Sequence, residues 1–315
     1  MKAVDQDQKM HFCQPFFCEG VLSYTQQEVE LPFHLFFCEF MMGSVIDRDT
    51  DSLFMKCIPD GCVTVIFIRK GDACKVELLG TPLAAKQLIV YPDALYFCVR
   101  LEPGMKFPYS HITGCSLSTR DIADTEIFLP HLDADMKRLV EQLFKAPSFG
   151  QRIESFCSYL LTFPTEELFV QPSLMDMLYR IYSARGNVNI REMADTVCYS
   201  ERQFSRIFQQ ALGYSPKTFA RIVRFQHVIG QIRRLAGAGL EAANMRMSHF
   251  LSGLDYSDQS HFQREFKDFT SLTPRQFATF AYKRKQDSKC AACAGRGNCF
   301  DSPLHETYES MGGGT

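Results

Sequence analysis

Two stretches of the chain carry side chains suited to reading flat, hydrogen-bonding partners. In 201–212, ERQFSRIFQQAL, the residues Arg202, Ser205, Arg206, Gln209 and Gln210 lie off the apolar stripe. In 259–269, QSHFQREFKDF, the same is true of Gln259, Ser260, Gln263, Arg264 and Lys267. Guanidinium and amide groups form paired hydrogen bonds, which suits Arg to guanine and Gln to adenine at base edges in a major groove. A different chemistry is offered near the C-terminus, where Cys290-x2-Cys293-x5-Cys299 precedes His305. Thiolates at that spacing can share zinc or an iron–sulfur cluster, yet a second CxxC is missing and the flanks are Gly-rich. Metal binding, a redox-sensitive thiol cluster and an unstructured tail are all open there, with the unstructured tail expected and no cofactor assigned. Signatures of Ser-His-Asp catalysis, paired carboxylates or a phosphate loop do not occur.

The elements that position these side chains follow from composition and pattern. The chain has 315 residues, 46% hydrophobic and 22% charged, enough for two globular domains. No run of 18 apolar residues occurs, so no membrane partner is expected. MKAVDQDQKMHF lacks an apolar signal segment, so the expected location is cytoplasmic. Ten of the thirteen cysteines are scattered singly, mostly in apolar runs, and are expected to be buried reduced thiols. The formal net charge of −2 hides an asymmetry. Residues 172–285 hold 17 Lys+Arg against 9 Asp+Glu, and the rest hold 17 against 27, as expected of a basic region that meets a polyanion.

The expected fold class is α+β with two domains. Residues 1–120 are expected to form a β-rich sensor-like domain of sheets packed face to face. VTVIFI (63–68), KQLIVY (86–91) and ALYFCVRL (94–101) have strand length and composition, and Pro59-Asp60-Gly61, Gly80-Thr81-Pro82 and Pro103-Gly104 punctuate them. Residues 121–171 read as a helical connector that could serve dimerisation. Met136, Leu139, Val140, Leu143 and Phe144 share one helical face there, as do Ile153, Phe156, Cys157, Leu160 and Leu161. Residues 172–285 read as all-helical, and 286–315 as a Cys-containing disordered tail.

The helical region writes one sentence twice, 58 residues apart. FSRIFQQALGYSPKTF (204–219) and FQREFKDFTSLTPRQF (262–277) share Phe, Arg, Phe, Pro and Phe at the same five places. In the first copy, Ile190–Val197 is a short amphipathic helix and Cys198-Tyr199 a tight turn. Ser200 with Gln203 makes a capping box. Phe204, Ile207, Phe208, Ala211 and Leu212 form an apolar stripe, and Gly213 stops the helix. Ser215-Pro216 starts the next helix. The second copy has Phe250–Leu254 as the supporting helix, Asp255–Asp258 as turn and cap, and Thr273-Pro274 with Gln276 as the next start. Between them 217–235 is one long helix, with Phe219, Ile222, Val223, Gln226, Val228 and Ile229 inward and Arg221, Arg224, Arg233 and Arg234 outward. Two helices, a tight turn and an exposed polar second helix are the parts of a helix-turn-helix.

Two such units joined by a long helix and ending in YSDQSHFQREFKDFTSLTPRQF resemble the AraC/XylS-type transcription regulators over roughly 172–282. The resemblance implies two recognition helices, about 201–212 and 259–269, in successive major-groove segments about 34 Å apart. Carried over by position, the base readers are Arg202, Ser205, Arg206 and Gln209 in the first unit and Gln259, Ser260, Gln263 and Arg264 in the second. Lys217, Arg221, Arg224 and Lys267 become phosphate contacts. The chain departs from the pattern at Leu251, where a small residue is usual, at Cys198 and Asp255 in the turns, and at Ser271, the counterpart of Gly213. With acidic Glu265 and Asp268, the second unit is expected to position more than it specifies. CIPDGCVTVIF (57–67), LLGTP (78–82) and CVRLEPG (98–104) resemble the sensor domain ahead of some such regions. That resemblance makes Arg100 a candidate for an anionic effector, although a simple acidic partner for Arg100 and a plain β-turn at Pro59–Gly61 are equally open.

The expected function is sequence-specific regulation of transcription without enzymatic activity. The expected partners are double-stranded DNA, a small-molecule effector of unknown identity, RNA polymerase for an activator, and a second copy in a homodimer. Two alternatives stand beside it. One is a DNA alkylation-repair methyl acceptor fused to an AraC-like module, although no Cys is followed by His-Arg. The other is a regulator sensing redox or metal through the Cys tail.

Overall fold

The computed structural model describes residues 21–30, 34–43, 53–108, 119–240 and 258–287, together with Gln14, Leu254 and Tyr256. Its N-terminal part is a six-stranded antiparallel sheet of order β1-β2-β7-β4-β5-β8 and a separate ribbon, β3-β6. The strands are β1 Val21–Val29, β2 Leu35–Met42, β3 Leu53–Cys57, β4 Val63–Lys70, β5 Ala73–Leu79, β6 Lys86–Val90, β7 Leu95–Leu101 and β8 Glu126–Phe128. β2, β4 and β7 are buried along nearly their whole length. They read as continuous apolar runs because both faces of the sheet are covered.

On one face Phe37, Val65, Phe67, Phe97 and Val99 pack against helices α2 (Ala134–Lys145) and α3 (Phe149–Leu160), with Phe156 at the centre. On the other face Cys38, Phe40, Ile66, Tyr96 and Cys98 pack against Met55, Cys57, Leu88 and Val90 of the ribbon. Asp133 and Ser148 cap α2 and α3 through side-chain bonds to the Met136 and Gln151 amides. A short helix α1 (Thr119–Ile122) precedes β8, and α4 (Thr165–Leu168) falls within the Pro-flanked connector.

Among the described residues six helices follow: α5 Pro172–Ser183, α6 Ile190–Thr196, α7 Glu201–Leu212, α8 Pro216–Gly237, α9 Gln259–Thr270 and α10 Pro274–Asp287. They form two small cores strung along α8. The first gathers Leu178, Ile181, Phe204, Phe208, Leu212, Phe219 and Val223, and the second Ile222, Phe225, Ile229, Phe262, Phe266, Phe269 and Phe277. Each core takes in residues of the β-rich part. Phe36 and Cys62 enter the first, and Ile58 enters the second.

Four of the described single cysteines, Cys38, Cys57, Cys62 and Cys98, are buried as expected. Cys74 and Cys198 correct that expectation, since both are exposed, and Cys157 is half-buried. Cys13, Cys18, Cys115 and the tail cysteines lie outside the described residues, as do Leu251, Asp255 and most of the second supporting helix. Among the described residues no helix is long and apolar enough to cross a membrane.

Candidate nucleic-acid interface

The first unit is assembled by local rules. Asn189 accepts from the Arg191 and Glu192 amides and opens α6. Ala194, fully buried, lets α6 approach α7 closely. Cys198 turns the chain with a φ of 57°, the left-handed geometry usually left to glycine. Ser200 and Gln203 then form the capping box at the start of α7, and Gly213 ends it at φ 83°. With Phe204, Phe208 and Leu212 buried, Arg202, Arg206 and Gln209 are exposed and Ser205 half-buried. The Gln209 amide donates to the Gly213 carbonyl at 2.7 Å, so it is partly committed to the helix end.

The described part of the second unit repeats the construction of α7. Asp258 caps α9 through the His261 amide at 2.8 Å. Phe262, Phe266 and Phe269 are buried, and Gln259, Ser260, Gln263, Arg264 and Lys267 are exposed. Ser271 closes the helix at φ 60°, adopting the left-handed conformation of Gly213 with a side chain present. Thr273 and Gln276 make the following capping box.

Three charged residues are not where the sequence pattern puts them. Glu265 is 3% exposed and faces inward, accepting from Arg221 Nε at 2.7 Å and from the Tyr256 hydroxyl at 3.0 Å. It therefore adds no negative charge to the outer face of α9. Arg221 is engaged by that carboxylate and lies 5.2 Å over the Phe269 ring. Arg224 is buried, its guanidinium 5.1 Å over the Tyr256 ring. α8 is sandwiched between both cores over this stretch, so Arg221 and Arg224 serve helix packing instead of presenting a free cation. Lys217 and Lys267 are exposed, as phosphate contacts must be.

Arg100 is likewise an interior residue. Its Nε lies 3.8 Å from Asp60 Oδ2, and its guanidinium sits 4.8 Å over Phe36. Burial pushes the Asp60 carboxyl up, against the pull of Arg100 and of the Cys62 amide. The pair holds the Pro59–Gly61 turn, which is more than a plain β-turn. Gln226 of α8 donates to the Pro59 carbonyl at 2.7 Å, and the Tyr214 hydroxyl reaches the Gly61 carbonyl at 3.5 Å. The second unit is touched as well, by Ala85 N to Asp268 O at 3.3 Å and Lys56 Nζ to Thr270 O at 3.4 Å.

Two residues beyond Arg100, Glu102 lies 3.9 Å from His34, and burial pushes its carboxyl up to about 7. A carboxyl raised from 4.5 adds stability that is complete below pH 4.5 and is lost as pH climbs through about 7. Glu102→Gln should remove that slope. Unfolding free energies of the two proteins should diverge by about 1 kcal/mol per pH unit across the window, as urea titrations at several pH values would show.

A capped helix pair and a second capped helix, both on one connecting helix and each with a polar outer face, have the geometry of a DNA-binding helix-turn-helix region. Residues 193–279 match the family model described as a helix-turn-helix domain. Over those residues the chain thus carries an AraC-type helix-turn-helix DNA-binding region. No curated protein matches it. Among solved structures it is similar to ToxT from Vibrio cholerae. For one crystal form of ToxT the identity is 11% over 84% of this chain and 98% of that one, with a TM-score of 0.38. For wild-type ToxT bound to an unsaturated fatty acid the identity is 10% over 84% and 94%, with a TM-score of 0.36. For ToxT bound to (E)-4-(8-methylnaphthalen-1-yl)but-3-enoic acid it is 11% over 84% and 99%, with a TM-score of 0.37. At those scores the likeness fixes no site.

Proposed function

We propose that α7 and α9 enter successive major-groove segments on one face of duplex DNA, and that the N-terminal part governs how they are held. The observation that carries this is the pair of outward polar faces, Arg202–Ser205–Arg206 and Gln259–Ser260–Gln263–Arg264, built on helices that pack against the same stretch of α8. Lys217 and Lys267 contact phosphate and set register. Because Glu265 points inward, Asp268 is the acid left exposed on the second helix, and that helix reads bases beside it.

An effector acts through the N-terminal part by shifting its seat on the helices. Arg100 is not its anion receptor, since Asp60 already meets that charge. Nor does the thiol chemistry favour the methyl-acceptor alternative. Burial pushes the Cys57 and Cys62 thiols up and the Cys157 thiol up to about 11, and a hydrogen bond with Cys38 together with burial pushes Cys98 up, the reverse of what a nucleophile needs.

Selection of bound duplexes from a random-sequence library by the full chain tests the reading. The expected product is a site with two conserved half-sites about one helical turn apart. On that site Arg206→Ala and Arg264→Ala should each weaken binding by about 1–3 kcal/mol and relax base preference at a separate position, one in each half. Loss spread equally over all sequences would make either residue a phosphate contact.

A further inference from the structure

Both recognition helices pack on the same short stretch of α8. Phe208 of α7 meets Phe219 at 6.1 Å between ring centres, and Phe225 meets Phe266 and Phe269 of α9 at 5.5 and 5.0 Å. From Phe219 to Phe225 the helix rises only about 9 Å. The relative placement of α7 and α9 is therefore decided within two turns of one helix.

Apolar burial is non-directional and by itself holds the register of one helix on another only loosely. The polar contacts at Glu265 are directional. Its two carboxylate oxygens are held from opposite elements, Oε2 by Arg221 of α8 and Oε1 by Tyr256 in the segment that leads into α9. Burial and the neighbouring carboxylate keep the Tyr256 phenol protonated, so it donates. Arg221 is thus held by Glu265 on its polar side and by the Phe269 ring on its apolar side, and the ring of the same Tyr256 lies under Arg224. The equivalent place in α7 is Ile207, which is half-buried and can only pack. A buried ion pair is weak evidence for stability, and its best-attested service is to fix register.

We propose that Glu265 is a positioning residue that locks α9 onto α8 through Arg221 and Tyr256, and so sets which spacing between the two half-sites the protein accepts. The proposal rests on the two-helix reading above, and its test separates the two. The probes are synthetic duplexes carrying the library-selected site, with the half-sites moved apart or together one base pair at a time, and duplexes carrying the first half-site alone. The full-length wild-type chain should bind one spacing best.

Glu265→Leu, which restores the apolar character of Ile207, should reduce the penalty for a one-base-pair shift by about tenfold, the middle of the range for coupled contacting residues. Binding to the first half-site alone should not change. Arg221→Lys and Tyr256→Phe, milder changes, should each relax the spacing rule in the same direction. They carry the test if Glu265→Leu does not fold. Folded variants with the wild-type spacing profile would overturn the proposal. A wild-type chain indifferent to spacing would overturn the two-helix reading and this proposal with it.

Discussion

Asp60→Ala should lower the unfolding free energy by about 3–5 kcal/mol, the usual penalty for removing one partner of a buried ion pair. Asp60 is 1% exposed, and Arg100 beside it is 7% exposed. Alanine would leave that cation against the Phe36 ring with its nearest carboxylate gone. The Cys62 amide, which donates to Asp60 Oδ1 at 2.9 Å, would lose its acceptor too. The damage should reach the helices, because the turn that Asp60 braces presents the Pro59 and Gly61 carbonyls to Gln226 and Tyr214. Space there is tight, since a Cβ on Gly61 would lie 3.0 Å from Pro103 and 3.1 Å from Phe219.

Chemical denaturation followed by fluorescence of a labelled exposed Cys74 would report the loss on the β side, and hydrogen exchange at α8 would report it on the helical side. Paired replacement by Asp60→Leu with Arg100→Met should recover much of the stability, because an apolar pair of similar volume avoids the desolvation of two charges. A loss below about 1 kcal/mol for Asp60→Ala would mean that water reaches Arg100 and that the turn is not closed.

Why some of this could be read from the sequence and some could not comes down to distance along the chain. The recognition helices were legible because their signals are local. Ser200 and Gln203 are three residues apart, the stripe Phe204–Phe208–Leu212 spans one helix, and Gly213 sits directly after it. β4 and β7 were legible as apolar runs, whereas β1, VLSYTQQEV, is a mostly polar edge strand defined by its pairing with β2. Glu265 was misread as a surface acid because its partner Arg221 is 44 residues away. Arg224 was misread because α8 is covered almost all round: from Phe219 to Phe225 every residue except Arg221 is buried. A helix enclosed in this way has no polar face for periodicity to find. The Pro59-Asp60-Gly61 turn gave its geometry away, but its seat on Phe219 and Gln226 lies more than 150 residues on in the chain.

Gly213 and Ser271 make the same left-handed stop in the two units, and the expected effects of exchanging their residue types are opposite. A Cβ on Gly213 would lie 2.4 Å from Ala123 Cβ and 2.8 Å from the Arg120 carbonyl, both at the α1 segment of the N-terminal part. Gly213→Ala should therefore carry about 1–2 kcal/mol for a side chain at φ 83°, and a further 1–3 or so for forcing α7 away from α1. Ser271 is exposed and already tolerates its side chain at φ 60°, so Ser271→Gly should be neutral or stabilising by up to about 1 kcal/mol.

Unfolding curves of the two variants decide the matter, and equal small effects would mean that α1 does not bear on the end of α7. A large effect confined to Gly213 has a consequence for control. The sequence requires glycine there only to end a helix, which an asparagine could also do. Contact with α1 adds a steric requirement that no other residue meets. The first recognition helix is then fixed to the N-terminal part at its C-terminal end, while the second meets that part through the Asp268 and Thr270 carbonyls. A movement of α1 would displace α7 directly, and α9 would follow only through α8 and the Glu265 contact.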